Sequence, residues 1–216
     1  MYRILDRMKK AVKDKTMTPL IEGIRKHQDE IRLPSMYTSD MLRDFLEMNV
    51  MDNPEFFYVS GFKYFIRGNE ITVIPSYTYS LQEILRLSKQ CQKIAAGLVK
   101  RANLHDLYEG VKILHDFLAR NVVYEDDGKK ERHNIVGSLV EKKAVCDGYS
   151  AAFKYLLDRI GVPCVIVTGT AWDQLSGADG RHAWNMVKLE DEWTHVDVTF
   201  DTTMSSFNII RYDYFG

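Results

Sequence analysis

The sequence predicts an α+β fold, and three observations carry that reading. Helical spacing and capping signals run through the first half. One strongly amphipathic segment, 146–161, is stopped by Gly161 and Pro163. Three strand-like runs follow it at 164–171, 182–189 and 193–200, separated by short polar turns. Helices followed by antiparallel strands are the α+β pattern.

Each element has its own signal. Residues 2–14 and 19–32 carry apolar residues at helical spacing, with Pro19 near a start and Pro34 after a stop. Residues 40–48 form a short amphipathic helix with Met41, Leu42, Phe45, Leu46 and Met48 on or near one face, and Asn53-Pro54 follows as a breaker. Residues 58–66 and 70–74 are two strands joined at Gly68-Asn69, residues that tolerate positive φ. Ser80 and Glu83 make a capping box for a helix to about residue 100. Asn103 is the expected cap of the next helix, which turns Leu104, Leu107, Val111, Leu114 and Leu118 to a core. Residues 124–132 (YEDDGKKER) are a charged loop. In 146–161 the buried stripe is Tyr149, Ala152, Phe153, Leu156, Leu157 and Ile160, and Gly161 ends the helix.

Composition narrows the function classes. The 216 residues are 45% hydrophobic and 27% charged, which excludes a disordered or collagen-like chain. The net charge of −1 gives no general pull toward nucleic acid or anionic membrane. No apolar run approaches the ~18 residues of a membrane span. The first ten residues put charges into every turn and lack a secretory h-region. The compartment stays open: cytoplasmic by default, extracytoplasmic if a signal was removed. The three cysteines, Cys91, Cys146 and Cys164, have no CxxC spacing and argue against a disulfide framework or a Cys-rich zinc site. Cys91 and Cys164 fall among apolar residues and are expected to be buried. Glu125, Asp126 and Asp127 lack the spaced oxygen ligands of a calcium loop and read as a solvated acidic turn. No metal or cofactor is expected.

The chemistry centres on three residues. Cys146 opens the amphipathic helix, where unpaired N–H groups and the helix dipole stabilise a thiolate. Lys142 and Lys143 favour this charge and Asp147 opposes it, so position alone does not separate a nucleophile from a small buried residue. His182 and Asp197 lie on consecutive strands. If Leu189 pairs with Glu192, they become diagonal neighbours on one face, whereas a one-residue slip separates them. A nucleophilic thiol needs such a pair, a base and an acid to orient it. Trp184 and Trp193 fall on the same face as cleft walls, with core packing expected for at least one. His195 shares that face as a rival base, and Asn185 faces the other way in a structural role. The loop 173–180 precedes His182, and its glycines suit a cleft rim.

At this point a family resemblance is plain. The stretch 144–153 (AVCDGYSAAF) resembles the Cys motif of the transglutaminase-like superfamily. The stretch 181–187 (RHAWNMV) resembles its His motif, and 192–201 (EWTHVDVTFD) its Asp motif. Residues 160–169 (IGVPCVIVTG) and 133–139 (HNIVGSL) are also similar to the family. The resemblance covers roughly 105–216 and is to bacterial members rather than to the animal calcium-dependent enzymes. The helical first half, with 52–58 (DNPEFFY), is similar to the region preceding such domains in some bacterial members. It implies two parts: residues 1–102, a helical region with a β-hairpin near 58–74, and 103–216, a papain-like core with the Cys-bearing helix packed on an antiparallel sheet. It implies Cys146 as nucleophile, His182 as base then acid, and Asp197 as the orienting residue, acting on protein or peptide amides through a thioester. Hydrolysis, as by a protease or deamidase, is favoured over crosslinking because water is always at hand. The fold also hosts non-catalytic modules, so a binding or assembly module of a larger protein is the alternative. An acetyltransferase with the same triad fits less well, since no feature for a CoA-type cofactor is evident. The Cys146 N–H is one expected oxyanion donor. Tyr124 and His133 are candidates for the second, or for the substrate cleft, by lying upstream in the same domain. Related proteins usually continue past a segment like 210–216 (IRYDYFG), so the end is expected to be a domain cut or a short member. The oligomeric state is not legible.

Overall fold

The structure, a computed structural model, describes residues 18–34, 39–46, 50, 53–102, 106–173, 178–203, 212, 213 and 215. The chain divides into two compact units, Met1–Arg86 and Leu87–Gly216.

In the first unit a helix, α1 (Thr18–Arg25), is followed by strand β1 (Ile31–Pro34), helix α2 (Ser39–Leu46) and strands β2 (Val59–Arg67) and β3 (Glu70–Tyr77). The expected helix at 2–14 lies outside the described residues. The hairpin forms about Gly68, whose φ of 56° is the left-handed turn conformation that the sequence signals. The expected helix over 19–32 is corrected. It stops at Arg25, where His27 turns left-handed (φ 56°) and the Gln28 N–H bonds back to the Gly23 carbonyl. Ile31–Pro34 then pairs antiparallel with β3, giving the sheet order β1-β3-β2. Ile31, Leu33, Ile71 and Val73 are buried from this sheet, with Leu20 and Ile24 of α1. In α2, Leu42 and Leu46 are buried as its spacing requires.

Helix α3 (Leu81–Val99) runs across the division between the units. The Ser80 N–H and hydroxyl donate to Glu83 Oε2 at 2.9 and 2.7 Å, and the Glu83 N–H reaches back to Ser80 Oγ at 3.4 Å. Ile84, Leu87, Cys91, Ala95 and Leu98 form its buried stripe.

The second unit carries the site. Helix α4 (Leu107–Asn121) is capped by Asp106, which accepts the Glu109 N–H at 3.0 Å; the expected cap, Asn103, lies outside the described residues. Strand β4 (Val123–Tyr124) pairs in parallel with β5 (Lys143–Ala144). Helix α5 (Cys146–Arg159) follows at once. Its Tyr149, Ala152, Phe153, Leu156 and Leu157 are fully buried, and Gly161 ends it at φ 74°. α5 packs on β6 (Cys164–Asp173) and β7 (Ala178–Leu189), which with β8 (Glu192–Val196) form an antiparallel sheet in the order β6-β7-β8. One strand is shorter than expected. The run 193–200 pairs only to Val196, and Val198–Thr203 is a short helix, α6. Asp197 caps it, with Oδ1 accepting the Phe200 N–H at 3.1 Å.

The acidic turn is also corrected. Glu125 and Asp127 are not simply solvated, because they surround the buried Arg132. Arg132 lies 2.9 Å from Asp127, 2.6 Å from Glu141 and 3.8 Å from Glu125. The Arg132 carbonyl accepts the Val145 N–H at 3.0 Å, tying this cluster to the residue before Cys146. A Cβ at Gly148 would overlap that same carbonyl, so only glycine lets the first turn of α5 approach it.

Candidate active site

Cys146 is the first residue of α5, and Val145 before it offers no side-chain cap. The N–H groups of this first turn therefore lack intrahelical partners and point toward the thiol end. Cys146 is half-buried, while Cys91 and Cys164 are buried as expected. Burial pushes both of those thiols up to about 12, which leaves them inert at neutral pH. The two lysines expected to assist Cys146 are engaged elsewhere. Lys142 Nζ lies 4.5 Å over the Phe117 ring, and Lys143 pairs with Glu125 at 2.7 Å. Asp147 is turned to His133 Nδ1 at 2.9 Å.

His182 comes from β7. Leu189 pairs with Glu192 and Asn185 with Val196, which is the register that puts His182 and Asp197 on one face. His182 Nε2 lies 2.6 Å from Asp197 Oδ2, in a pair only 9% and 7% exposed. With Nε2 taken by the carboxylate, Nδ1 is the ring nitrogen left for the Cys146 thiol, whose influence adds to that of Asp197 in raising the imidazole. Burial works against a charged imidazole here. Its neighbours Asp197 and Cys146 outweigh it and raise His182 to about 9. The ring is held flat by Phe200, 4.3 Å away at 11°, and stacks at longer range on Trp184, 6.0 Å away at 19°.

Asn185 has the structural role its face suggests. Its Nδ2 donates to the Ser150 carbonyl at 3.1 Å and to Cys164 Sγ at 3.4 Å, locking β7 onto α5. That bond fixes the strand bearing His182 against the helix bearing Cys146. His195 is exposed, and its Nδ1 accepts the Trp184 indole N–H at 2.8 Å. An indole N–H only donates, so His195 Nδ1 holds a lone pair and its proton sits on Nε2.

A cleft of about 510 Å³ opens beside His182 and Asp197. Trp184, Trp193, Phe200 and Phe215 supply its apolar walls, and Thr170 and Asp213 add polar groups. Both tryptophans are thus half-buried cleft residues rather than core. Tyr124 and His133 do not line this cleft. Tyr124 is exposed on β4 opposite Ala144, two residues before Cys146, and His133 is exposed beside Asp147. Phe200 was missed by sequence reasoning because alternation along a strand puts it on the face away from Asp197. On a helix, residues three apart share a face, and the aromatic in DVTF becomes the ring that backs His182.

Chemically, this is a thiol at a helix start and an imidazole backed by a buried carboxylate. Residues 92–198 match the family model described as the transglutaminase-like superfamily. The chain carries a domain of the transglutaminase-like superfamily. Among curated proteins, this transglutaminase-like chain is similar to the Kyphoscoliosis peptidase of Mus musculus, at 28% identity over 57% of this chain and 21% of that protein. It is similar to the Kyphoscoliosis peptidase of Homo sapiens at 26% identity over the same shares. The chain spans about a fifth of the length of these curated relatives, and the resemblance extends to animal proteins. Among solved structures it is similar to a TGase, at 13% identity and TM-score 0.47 over 87% of this chain and 54% of that one. It is also similar to a putative cysteine protease from Cytophaga hutchinsonii, at 15% identity and TM-score 0.44 over 64% of this chain and 61% of that one. No helix among the described residues is long and apolar enough to cross a membrane.

Proposed function

We propose that this chain is a cysteine-dependent acyl-transfer enzyme that acts on protein or peptide amides through a thioester, with water as the usual acceptor. The observation that carries the reading is the buried His182–Asp197 pair, 2.6 Å long, whose imidazole also responds to the Cys146 thiol at the start of α5. The name peptidase borne by the curated relatives supports the hydrolytic choice.

In the first half-reaction the Cys146 thiol passes its proton to His182 Nδ1, and the thiolate attacks the amide carbonyl carbon. The carbonyl oxygen takes the negative charge, and the Cys146 N–H stabilises it. The C–N bond breaks as His182 returns its proton to the departing amine, leaving a thioester on Cys146. Water then gives a proton to His182 and attacks the thioester. The C–S bond breaks and the thiol is restored. Asp197 stays ionised throughout and holds the imidazole by Nε2. The cleft adjoins His182, the group that protonates the amine, so it receives the amine side of the substrate.

The test needs no substrate. Alkylation of each cysteine is followed against pH by mass spectrometry, in wild type and in His182→Ala. The reading expects Cys146 to react fast below pH 7, under the ~8.5 of a free thiol, and to lose this in the variant. Identical profiles in the two proteins would overturn it. Peptide cleavage run beside amine incorporation then separates water from amine as acceptor.

A further inference from the structure

Behind the His182–Asp197 pair lies a second, fully buried His–Asp pair that the proposed mechanism does not use. His115 of α4 and Asp201 of α6 are both 0% exposed, with His115 Nε2 3.1 Å from Asp201 Oδ2. The other ring nitrogen, Nδ1, is 3.1 Å from Asp116 Oδ1. Ionised carboxylates only accept hydrogen bonds, so an imidazole with one at each nitrogen carries a proton on both. The remaining charged and titratable groups around it complete a balanced cluster. Lys112, also of α4, lies 3.0 Å from Asp116. Tyr212, from the C-terminal segment, donates its hydroxyl proton to Asp116 at 2.8 Å and takes one from Lys112 at 2.7 Å. Among the described residues of α5 and the C-terminal segment, the rings of Phe153 at 6.2 Å, Tyr212 at 5.7 Å and Phe215 at 4.9 Å also meet His115. Two cations, Lys112 and His115, thus face two carboxylates, Asp116 and Asp201. Desolvation opposes the charge on His115, and its two carboxylate partners overcome it and raise its pKa.

The cluster touches both flanks of Asp197. On one side Asp201 lies one helical turn on, and its N–H donates to the Asp197 carbonyl at 3.1 Å. On the other, Phe215 packs on His115 and bridges Val196, the residue before Asp197. The carboxylate between these anchors has little angular freedom, since Oδ1 caps α6 and Oδ2 must meet His182.

We infer that His115, as a buried imidazolium, is a positioning residue that braces α6 through Asp201 and thereby aims Asp197 at His182. Its part in catalysis rests on the acyl-transfer reading above, but the brace can be tested without it. The full chain is labelled at the histidine rings, and the six histidines are titrated by NMR between pH 5 and 10.5, with assignment by single His→Gln variants. In wild type, His182 is expected to titrate near 9. In His115→Gln, and in Asp201→Asn, which keeps the side-chain shape and removes its charge, that midpoint should fall by about one unit or more as Asp197 drifts. A lost packing contact alone would lower the unfolding midpoint and leave the His182 titration in place. An unmoved His182 midpoint in either folded variant overturns the brace. So does a wild-type His115 that titrates at or below its ordinary ~6.5, a result that decides the matter even where both variants fail to fold. If Cys146 proves unreactive to alkylation while His182 still responds to His115→Gln, the brace stands and the acyl-transfer reading falls.

Discussion

Two His–Asp pairs of nearly equal length sit close in sequence to the chemistry, and they differ in almost everything else. His182–Asp197 spans 2.6 Å between a residue within β7 and the residue that follows β8, and is sealed by Phe200 and Trp184. His133–Asp147 spans 2.9 Å, with side chains 51% and 49% exposed. Water competes for every hydrogen bond of the exposed pair and screens its charges, so its coupling is weak. The buried carboxylate has few competitors, and its imidazole is shifted to about 9. A His–Asp contact by itself is therefore not a signature of catalysis, and enclosure is what sets the His182–Asp197 pair apart from the exposed one.

The strongest way to break this comparison is to remove the buried charge without removing the cap. Asn is as good a helix cap as Asp, so Asp197→Asn should still fold with α6 capped, at an unfolding midpoint lowered by loss of the charged pair. Turnover should fall further than stability accounts for, by about 10⁴, the scale for loss of an orienting carboxylate. Circular dichroism melting beside a cleavage assay checks both halves, and wild-type-like turnover would remove Asp197 from the mechanism.

The pH dependence follows from the same pair. His182 is raised in the folded state, so the stability it contributes is complete below its ordinary ~6.5 and is lost as pH rises to about 9. The imidazolium that accompanies a Cys146 thiolate disappears over the same rise. The imidazolium signal of His182, followed by NMR, should therefore persist at pH 8 and vanish above about 9. Next in size is Phe200→Leu, which keeps an apolar wall but removes the stacked ring. A loss of about tenfold in Cys146 alkylation rate at pH 6.5 is expected, roughly 1.4 kcal/mol for an aromatic contact. The smallest effect belongs to the exposed pair. His133→Gln should cost under about 1 kcal/mol in urea unfolding, and a larger cost would show that exposure is a poor guide here.

Much of the site was legible because it is written in local chemistry. Cys146 sits before an amphipathic run with a glycine stop, and the order Cys, His, Asp spans short, regular elements. The turn at 190–191 sets the register that brings His182 to Asp197. What escaped the sequence was decided by partners far along the chain. Ile31–Pro34 is four residues long and follows a helix, so nothing local distinguishes it from one more turn; pairing with β3 makes it a strand. Residues 198–200 alternate like a strand, yet Asp197 caps a helix there, and this change of period carries Phe200 to the back of His182. Arg132 reads as one charge in a polar loop until Glu125, Asp127 and Glu141 close around it.

The sequence by itself determined the helix that presents Cys146 and the hairpin in the first unit, and it named the register on which His182 and Asp197 share a face. Each depends on backbone periodicity and on turn residues within a few positions, which any window of the chain displays. The tertiary structure alone decided which histidines are enclosed. His115 and Asp201 lie 86 residues apart, and burial and charge compensation at that separation exist only once α4 and α6 have packed.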